Sequence, residues 1–306
     1  MNLLNWSKGC LLGTVLSLAL VACASTSAES DRPLIFSLKT QTGRSGCLVA
    51  INHLVLHPAE ESAEIVACER QARSLVVEAA PKGDNTFSWS RYARSKNDPS
   101  LQDLSQATIK KVRQALTLAL YSQHDIDSLL TLHPAAIYRA LIYSKALSDV
   151  KLVPNLDLRL MEAARLKNFA IREMEGMEGY FENERRLTSQ QLEEILSGLC
   201  DLYIEPERLK RTRTLVDQYA NDASAQPEID TARNKKLWFN TIALGLPEFT
   251  VAHDVDARNP AIVRGMLKAM EADGSVLIFV GAAHVGGPEG LIKLLRDEGV
   301  AVTRLR

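Results

Sequence analysis

Residues 276–290 read VLIFVGAAHVGGPEG, and this stretch decides the fold that the rest of the sequence predicts. Val276–Val280 is a compact aliphatic run, which is typical of a strand buried on both faces of a parallel sheet. Gly281-Ala-Ala-His284 leads out of this strand, and the glycines that follow permit a tight turn into a helix over Glu289–Asp297. A strand, a glycine-rich turn and a helix in this order are typical of a layered α/β domain.

The segments on either side of this stretch extend the same pattern. Upstream, Asn259-Pro260 predicts a helix with Asn259 as its N-cap and Pro260 at its first position, and Gly274 ends that helix. Downstream, Gly299 ends the next helix and Val300–Leu305 predicts a last strand. The C-terminal part of the chain therefore alternates helices and strands.

The N-terminal part predicts a second α/β unit, because short apolar runs flank one helical pattern. A turn at Gly43–Gly46 separates the first two runs, and Glu78 stands at the end of the third. The predicted elements are strands over Leu34–Leu38, Cys47–Ile51 and Leu75–Val77, and a helix over Glu60–Ala72.

The middle of the chain is mostly helical, because apolar residues recur there at helical spacing. One predicted strand, Phe169–Met174, interrupts the helices and leads to Glu175, and Thr188 with Gln191 forms a capping-box pattern. The predicted helices cover Leu101–Leu120, Ala135–Leu147, Leu156–Lys167, Thr188–Leu202, Glu205–Ala220 and Glu228–Leu244. The sequence therefore predicts an α/β fold with a central mixed sheet built from N- and C-terminal α/β halves, and a large helical insertion over about residues 101–245.

The first residues have the pattern of a bacterial lipoprotein signal. The basic Lys8 precedes an apolar run over Cys10–Val21, which is shorter than the roughly 20 residues that a membrane-spanning helix needs. The run ends in Leu20-Val21-Ala22-Cys23, in which the Cys23 thiol would carry the lipid. We therefore expect a signal peptide over residues 1–22, a tether over 23–32 and one domain over 33–306. This arrangement predicts a protein held by its lipid on the periplasmic side of a bacterial membrane, and Ala24 favours the outer membrane.

Charge and cysteine content limit the partners and the covalent structure. A net charge of −1 without a basic stripe argues against nucleic acid as the main partner, and the sequence carries no signal for an oligomeric state. Beyond Cys23, an oxidising compartment would permit a disulfide among Cys47, Cys68 and Cys200. Pairing of Cys47 with Cys68 would close a short loop, and the odd number leaves at least one thiol free.

Three polar residues stand where predicted strands end, namely His53, Glu78 and His284. Ligands of open α/β sheets bind outside the carboxyl ends of the strands, so these side chains are candidates for one site. Two imidazoles and a carboxylate are suitable ligands for a divalent metal such as Mn²⁺, Co²⁺ or Zn²⁺. A metal there would lower the pKa of a bound water and make it a nucleophile. Histidines at strand ends also serve purely structural roles, and spacing alone leaves both readings open.

Other familiar catalytic patterns are missing from the sequence. It contains no H-E-x-x-H, no G-x-S-x-G and no G-x-x-x-x-G-K-[ST]. The glycine-rich turn over 281–290 lacks the G-x-G-x-x-G spacing, which argues against a nucleotide site.

The segment Gly281–Gly290 closely resembles the C-terminal signature of the TraB/GumN family, in which glycine-x-x-histidine closes a strand and a Gly-Leu helix follows. Arg258-Asn259 matches the Arg-Asn pair of that family, and Met174-Glu175 its Leu-Glu after a mid-chain strand. Cys47–His53 (CLVAINH) and Leu75–Glu78 (LVVE) stand where the family has its first glycine-x-x-histidine and its strand-ending glutamate. The chain departs from the family at three positions, where it has Ala50 for the first glycine, Asn52 for threonine and Ala80 for an acidic residue.

The resemblance implies a metal-dependent hydrolase, since the related Tiki proteins look like metal-requiring proteases, and a fold akin to ChaN-like and erythromycin-esterase-like proteins. It implies that His53, Glu78 and His284 hold the metal or serve its water. Arg258 would pair with a substrate carboxylate or oxyanion, and Glu175 would be a further base or ligand. Asn259 is already explained as an N-cap, which gives it little functional weight.

Two classes of function follow. The first is a lipid-anchored peptidase that cleaves a peptide or an envelope protein with metal-activated water, using Glu78 or Glu175 as base. The second is a non-catalytic binding lipoprotein that uses the same cleft for haem, a polysaccharide precursor or an envelope partner. The altered residues around His53 favour the second class.

Overall fold

The computed structural model describes residues 34–51, 54–55, 61–79, 89–144, 146–147, 153–154, 156–166, 168–222, 234 and 236–305. The strands are β1 (Leu34–Lys39), β2 (Ser45–Ile51), β3 (Leu54–Val55), β4 (Ser74–Val77), β5 (Val153–Pro154), β6 (Ala170–Glu173), β7 (Ser275–Gly281) and β8 (Ala301–Arg304). The helices are α1 (Ala63–Gln71), α2 (Gln106–Leu118), α3 (Gln123–Leu129), α4 (Ala135–Ile142), α5 (Leu156–Leu166), α6 (Gly176–Arg185), α7 (Ser189–Ile204), α8 (Pro206–Asp222), α9 (Phe249–Asp254), α10 (Asn259–Asp273) and α11 (Leu291–Asp297).

An open six-stranded sheet in the order β6-β4-β7-β2-β1-β8 forms the centre of the fold. The strands β6, β4, β7 and β2 are parallel to one another, whereas β1 pairs antiparallel with both β2 and β8. The C-terminal strand β7 lies between the N-terminal strands β4 and β2, and the C-terminal strand β8 pairs with β1. The predicted α/β class and the mixed central sheet are therefore confirmed.

The central strand β7 is buried on both faces, as its aliphatic sequence predicts. Side chains of successive strand residues point to opposite faces. Accordingly Val276, Ile278 and Val280 pack in one core with helices α10 and α11, while Leu277 and Phe279 pack in another with α1 and α5. The sheet thus lies between two helical layers, and its polar features are left at the strand ends.

The helices α2, α3, α4, α6, α7 and α8 form a separate helical part with its own core. The capping box of Thr188 and Gln191 is confirmed at the start of α7. The prediction of one helix over Leu101–Leu120 is wrong at its start, because the Ser105 hydroxyl accepts from Thr108 N and caps α2 there.

Two further helix limits differ from the prediction. The helix predicted over Ala135–Leu147 ends at Ile142, beyond which Ser144 Oγ donates to the carbonyl of Ala119. The helix predicted over Glu228–Leu244 lies partly outside the described residues, and its last turn, Phe239–Ala243, is a π-helix.

No helix within the described ranges is long and apolar enough to cross a membrane.

A disulfide joins Cys47 in β2 to Cys68 in α1, and Cys200 is a buried free thiol in α7. The bond closes a loop between residues 21 apart and ties α1 to the strand that precedes His53. Burial raises the pKa of the Cys200 thiol to about 12, which keeps it protonated and unreactive.

We expect the Cys47→Ala/Cys68→Ala variant to lose about 3 kcal/mol in free energy of unfolding, because the open loop regains conformational entropy in the unfolded chain. Urea unfolding measures this loss. A reductant should bring the wild type to the stability of the variant and leave the variant unchanged. An unaltered wild-type midpoint under full reduction would contradict the prediction.

Candidate functional site

The candidate site lies at the carboxyl edge of the parallel strands. Glu78 directly follows β4, Glu175 is the second residue after β6, and His284 ends a single 3₁₀ turn after β7. Because the carboxyl ends of parallel strands meet at one edge of a sheet, these three residues converge. His53, the residue predicted for the end of β2, lies outside the described residues, as does Cys23.

Glu78 links the strand ends to one another. Its Oε1 accepts from the backbone N of Gly281 at 2.6 Å, and its Oε2 accepts from Arg258 Nη2 at 2.7 Å. The same Oε2 lies 3.7 Å from Nε2 of His284. These hydrogen bonds hold the carboxylate in one orientation, and its side chain remains 13% exposed.

Arg258 uses all five of its N–H donors inside the protein. Nε donates to Glu175 Oε1 at 2.8 Å, and Nη2 donates to Glu175 and to Glu78. Nη1 donates to the Asp254 carbonyl at 3.1 Å and lies 3.5 Å from Nε2 of His284. A guanidinium with all its donors engaged is suited to positioning these carboxylates. This geometry favours a positioning role over the substrate-binding role that the resemblance implies.

The charged side chains of the cluster shift one another's pKa values. Burial raises the pKa of the Glu175 carboxyl above its ordinary value, the charge on Glu78 adds to this, and Arg258 opposes it. Burial opposes the charge on Arg258, but the two glutamates outweigh burial and raise the pKa of the guanidinium. The arginine therefore stays charged, and Glu175 binds a proton more readily than an exposed glutamate does.

Asn259 orients His284, and its prediction as an N-cap is wrong. Its backbone is already helical, with φ −53° and ψ −41°, and Arg258 occupies the N-cap position. Its side chain is wholly buried, and its Nδ2 donates to the carbonyls of Glu289, at 2.6 Å, and of His284. Carbonyl oxygens only accept hydrogen bonds, so the amide nitrogen of Asn259 must face them. The buried Asn259 side chain is therefore part of the site.

The orientation of the Asn259 amide decides the tautomer of His284. Since Nδ2 faces two carbonyls, Oδ1 must face the ring, where it accepts from Nδ1 of His284 at 2.6 Å. In the neutral ring Nε2 then carries the lone pair, and this atom is the one that lies beside Glu78 Oε2. Fixing one ring nitrogen with a hydrogen bond is how proteins prepare the other as a metal ligand or a base.

Close backbone packing brings Glu175 to this cluster. A Cβ at Gly265 in α10 would lie 2.3 Å from the carbonyl oxygen of Met174, so only glycine permits this approach. The helix that begins with Asn259 is thereby held directly against the segment that carries Glu175. The sequence shows the glycine, but it does not show that Gly265 packs against the backbone of Met174.

Sequence reasoning missed Tyr180 and Asp254, which connect the site to the helical part. The ring of Tyr180 lies between two guanidinium groups, with its centroid 4.9 Å from Cζ of both Arg258 and Arg139. The Asp254 carboxylate accepts from Tyr138 Oη at 2.9 Å, while its carbonyl holds Arg258. Neither residue belongs to a strand end or a motif, so no local signal marks it.

The described residues contain no group of three or more His, Cys, Asp or Glu side chains arranged to hold a metal ion. Within the cluster, Nε2 of His284 and Oε2 of Glu78 are two potential metal ligands that lie 3.7 Å apart. Arg258 lies between this pair and Glu175, which explains why the three do not form one ligand set.

The chain is thus an open-sheet α/β protein with buried acidic, basic and imidazole groups at the carboxyl edge of its sheet, where ligands of such sheets commonly bind. The chain belongs to the TraB/PrgY/gumN family, which it matches over residues 55–304. Comparison with curated proteins and with solved structures found no match. The expected family is thus confirmed, and the matched range contains Glu78, Glu175, Arg258 and His284.

We expect ¹⁵N NMR of histidine-labelled protein to show His284 as the Nδ1-protonated neutral tautomer at pH 8, because Asn259 Oδ1 accepts only from an N–H. In Asn259→Ala this acceptor is lost, and the ring should shift toward the Nε2-protonated form that free imidazole side chains prefer. Exposed His124 serves as the internal control and should be unaffected. An Nε2-protonated His284 in the wild type would contradict the assignment.

Proposed function

We propose that the chain is a divalent-metal-dependent hydrolase that cleaves peptide bonds on the periplasmic side of a bacterial membrane. One observation carries the proposal: the Asn259 amide turns Nε2 of His284 toward Glu78 Oε2, 3.7 Å away. An imidazole lone pair and a carboxylate oxygen facing each other at a sheet edge are a suitable pair of ligands for Mn²⁺, Co²⁺ or Zn²⁺.

The charges of the cluster fit a cation in this place. Glu78 and Glu175, when both are ionised, outweigh the single charge of Arg258, so the cluster keeps a net negative charge. In this structure Arg258 donates to both proposed ligand atoms, Glu78 Oε2 and His284 Nε2, so the cation would take the place of these two hydrogen bonds. We propose that His284 and Glu78 hold the metal together with His53. A bound divalent metal supplies a water of lowered pKa.

Glu175 is suited to move the proton of this water. Its raised pKa brings the carboxylate closer to the range in which a general base both accepts and returns a proton at neutral pH. In hydrolysis the water oxygen forms a bond to the carbonyl carbon and its proton passes to Glu175. The C–N bond then breaks, and Glu175 returns the proton to the leaving nitrogen. Arg258 keeps Glu175 in place through Nε and Nη2.

The location of the reaction rests on the N-terminal sequence. We propose that residues 1–22 are removed and that Cys23 carries the lipid, with residues 23–32 as a tether. A peptide or an envelope protein within reach of the membrane is then the expected substrate.

We expect purified wild type to bind Mn²⁺, Co²⁺ or Zn²⁺ and to cleave peptides of a casein digest, with activity lost on addition of a chelator. His284→Ala and Glu78→Gln should lose both bound metal, measured by elemental analysis, and activity by at least about 100-fold. His124→Ala, which removes an exposed histidine far from the sheet edge, is the matched control and should match the wild type.

Equal metal content in wild type, His284→Ala and Glu78→Gln would refute the metal site. Metal that depends on these residues, without cleavage of any peptide, would refute the hydrolase and leave a metal-containing binding protein.

We also expect Cys23 to carry the lipid when the full chain is expressed in a bacterium. Mass spectrometry of the N-terminal peptide should find the lipid on Cys23, with residues 1–22 removed. Cys23→Ser should lose both the lipid and the cleavage, whereas Cys10→Ser, within the apolar run, should keep them. A mature N-terminus at any other residue would refute the anchor.

A further inference from the structure

The hydroxyl of Tyr180 differs from those of the other buried tyrosines in the helical part. Four of those hydroxyls donate to an acceptor inside the protein, namely Tyr92 to Glu184, Tyr138 to Asp254, Tyr121 to the Ala140 carbonyl and Tyr203 to the Leu141 carbonyl. Tyr180 Oη makes no hydrogen bond to any residue within the described ranges, although its side chain is half-buried. A phenol that is partly buried and lacks an internal acceptor is a donor available to a ligand.

The ring of Tyr180 is held in place beside the site. It lies in the second turn of α6, the helix that begins directly after Glu175. Arg258 and Arg139 face it, each with Cζ 4.9 Å from the ring centroid, and these cation–π contacts fix the ring. Arg139 is itself paired with buried Glu184, as Arg258 is with Glu175, so ion pairs hold both guanidinium groups that contact the ring.

The phenol keeps its proton at neutral pH. Burial raises the pKa of Tyr180 well above its ordinary value, which outweighs the opposite effect of Arg139. Tyr180 therefore acts as a hydrogen-bond donor and not as a base.

In this structure Arg258 has no N–H donor left for a ligand. Its five N–H groups go to Glu175, Glu78, Asp254 and His284. Attack of water on a carbonyl carbon moves an electron pair onto the carbonyl oxygen, and this oxyanion requires a donor aimed at it. Among the described side chains that contact Arg258, Tyr180 has a donor that is not used internally.

We propose that Tyr180 Oη donates a hydrogen bond to the scissile carbonyl oxygen and holds the oxyanion that forms on it, which makes Tyr180 a catalytic residue. This inference rests on the proposed hydrolase function. The carbonyl electron pair goes to the oxygen as the bond from water forms, and it returns to the carbon when the C–N bond breaks. Tyr180 keeps its own proton throughout.

The test compares wild type with Tyr180→Phe and Tyr121→Phe. Tyr180→Phe keeps the ring between the two arginines and removes only the hydroxyl, while Tyr121→Phe removes a hydroxyl that donates internally. Inorganic phosphate, a tetrahedral oxyanion, is titrated by calorimetry into each protein in the presence of Mn²⁺. We expect Tyr180→Phe to bind phosphate about tenfold more weakly, because one hydrogen bond to a charged group is lost. Tyr121→Phe should bind phosphate as the wild type does.

Peptide cleavage provides the second measurement. We expect Tyr180→Phe to lower kcat by about 100-fold with KM and metal content unchanged, as the loss of one oxyanion donor does. Equal phosphate affinity of wild type and Tyr180→Phe, including no binding by either, overturns the role of Tyr180. Absence of cleavage by the wild type overturns the hydrolase instead, and the phosphate titration still decides whether Tyr180 binds an oxyanion.

Discussion

The ion pairs of Arg258 with Glu78 and Glu175 are the interaction on which the site depends. Burying one cation and two carboxylates is costly unless each charge is paired and hydrogen-bonded, and here the Gly281 backbone and the Asp254 carbonyl complete the pairing. The arginine stands at the N-terminus of α10, whereas its partners follow two different strands. A single side chain thus joins the start of α10 to the ends of β4 and β6.

This constraint explains why the neighbouring residues are so closely placed. α10 lies against the backbone of Met174 through Gly265, and this contact delivers Glu175 to Arg258. The next residue along α10, Asn259, reaches across to His284 and sets its ring. The consecutive residues Arg258 and Asn259 therefore organise two carboxylates and an imidazole.

The site also extends beyond the sheet edge into the helical part. Tyr180 stacks between Arg258 and Arg139, and the Asp254 carboxylate accepts from Tyr138 in α4. Side chains of the helical part therefore contact the residues at the strand ends. The helical part thus contributes an aromatic ring and a basic group, those of Tyr180 and Arg139, next to Arg258.

The sequence by itself determined the elements of the sheet and the strand-end positions of Glu78, Glu175 and His284, because aliphatic runs and glycine turns are local signals. It also indicated the pairing of Cys47 with Cys68 as one of the open possibilities. Only the tertiary structure decided what Asn259 and Arg258 do. An Asn-Pro dipeptide satisfies the local rule for an N-cap, but the buried ring of His284 and the Glu289 carbonyl claim the amide instead. The same holds for Tyr180, since its place between two arginines depends on residues far apart in the chain and is set by packing alone.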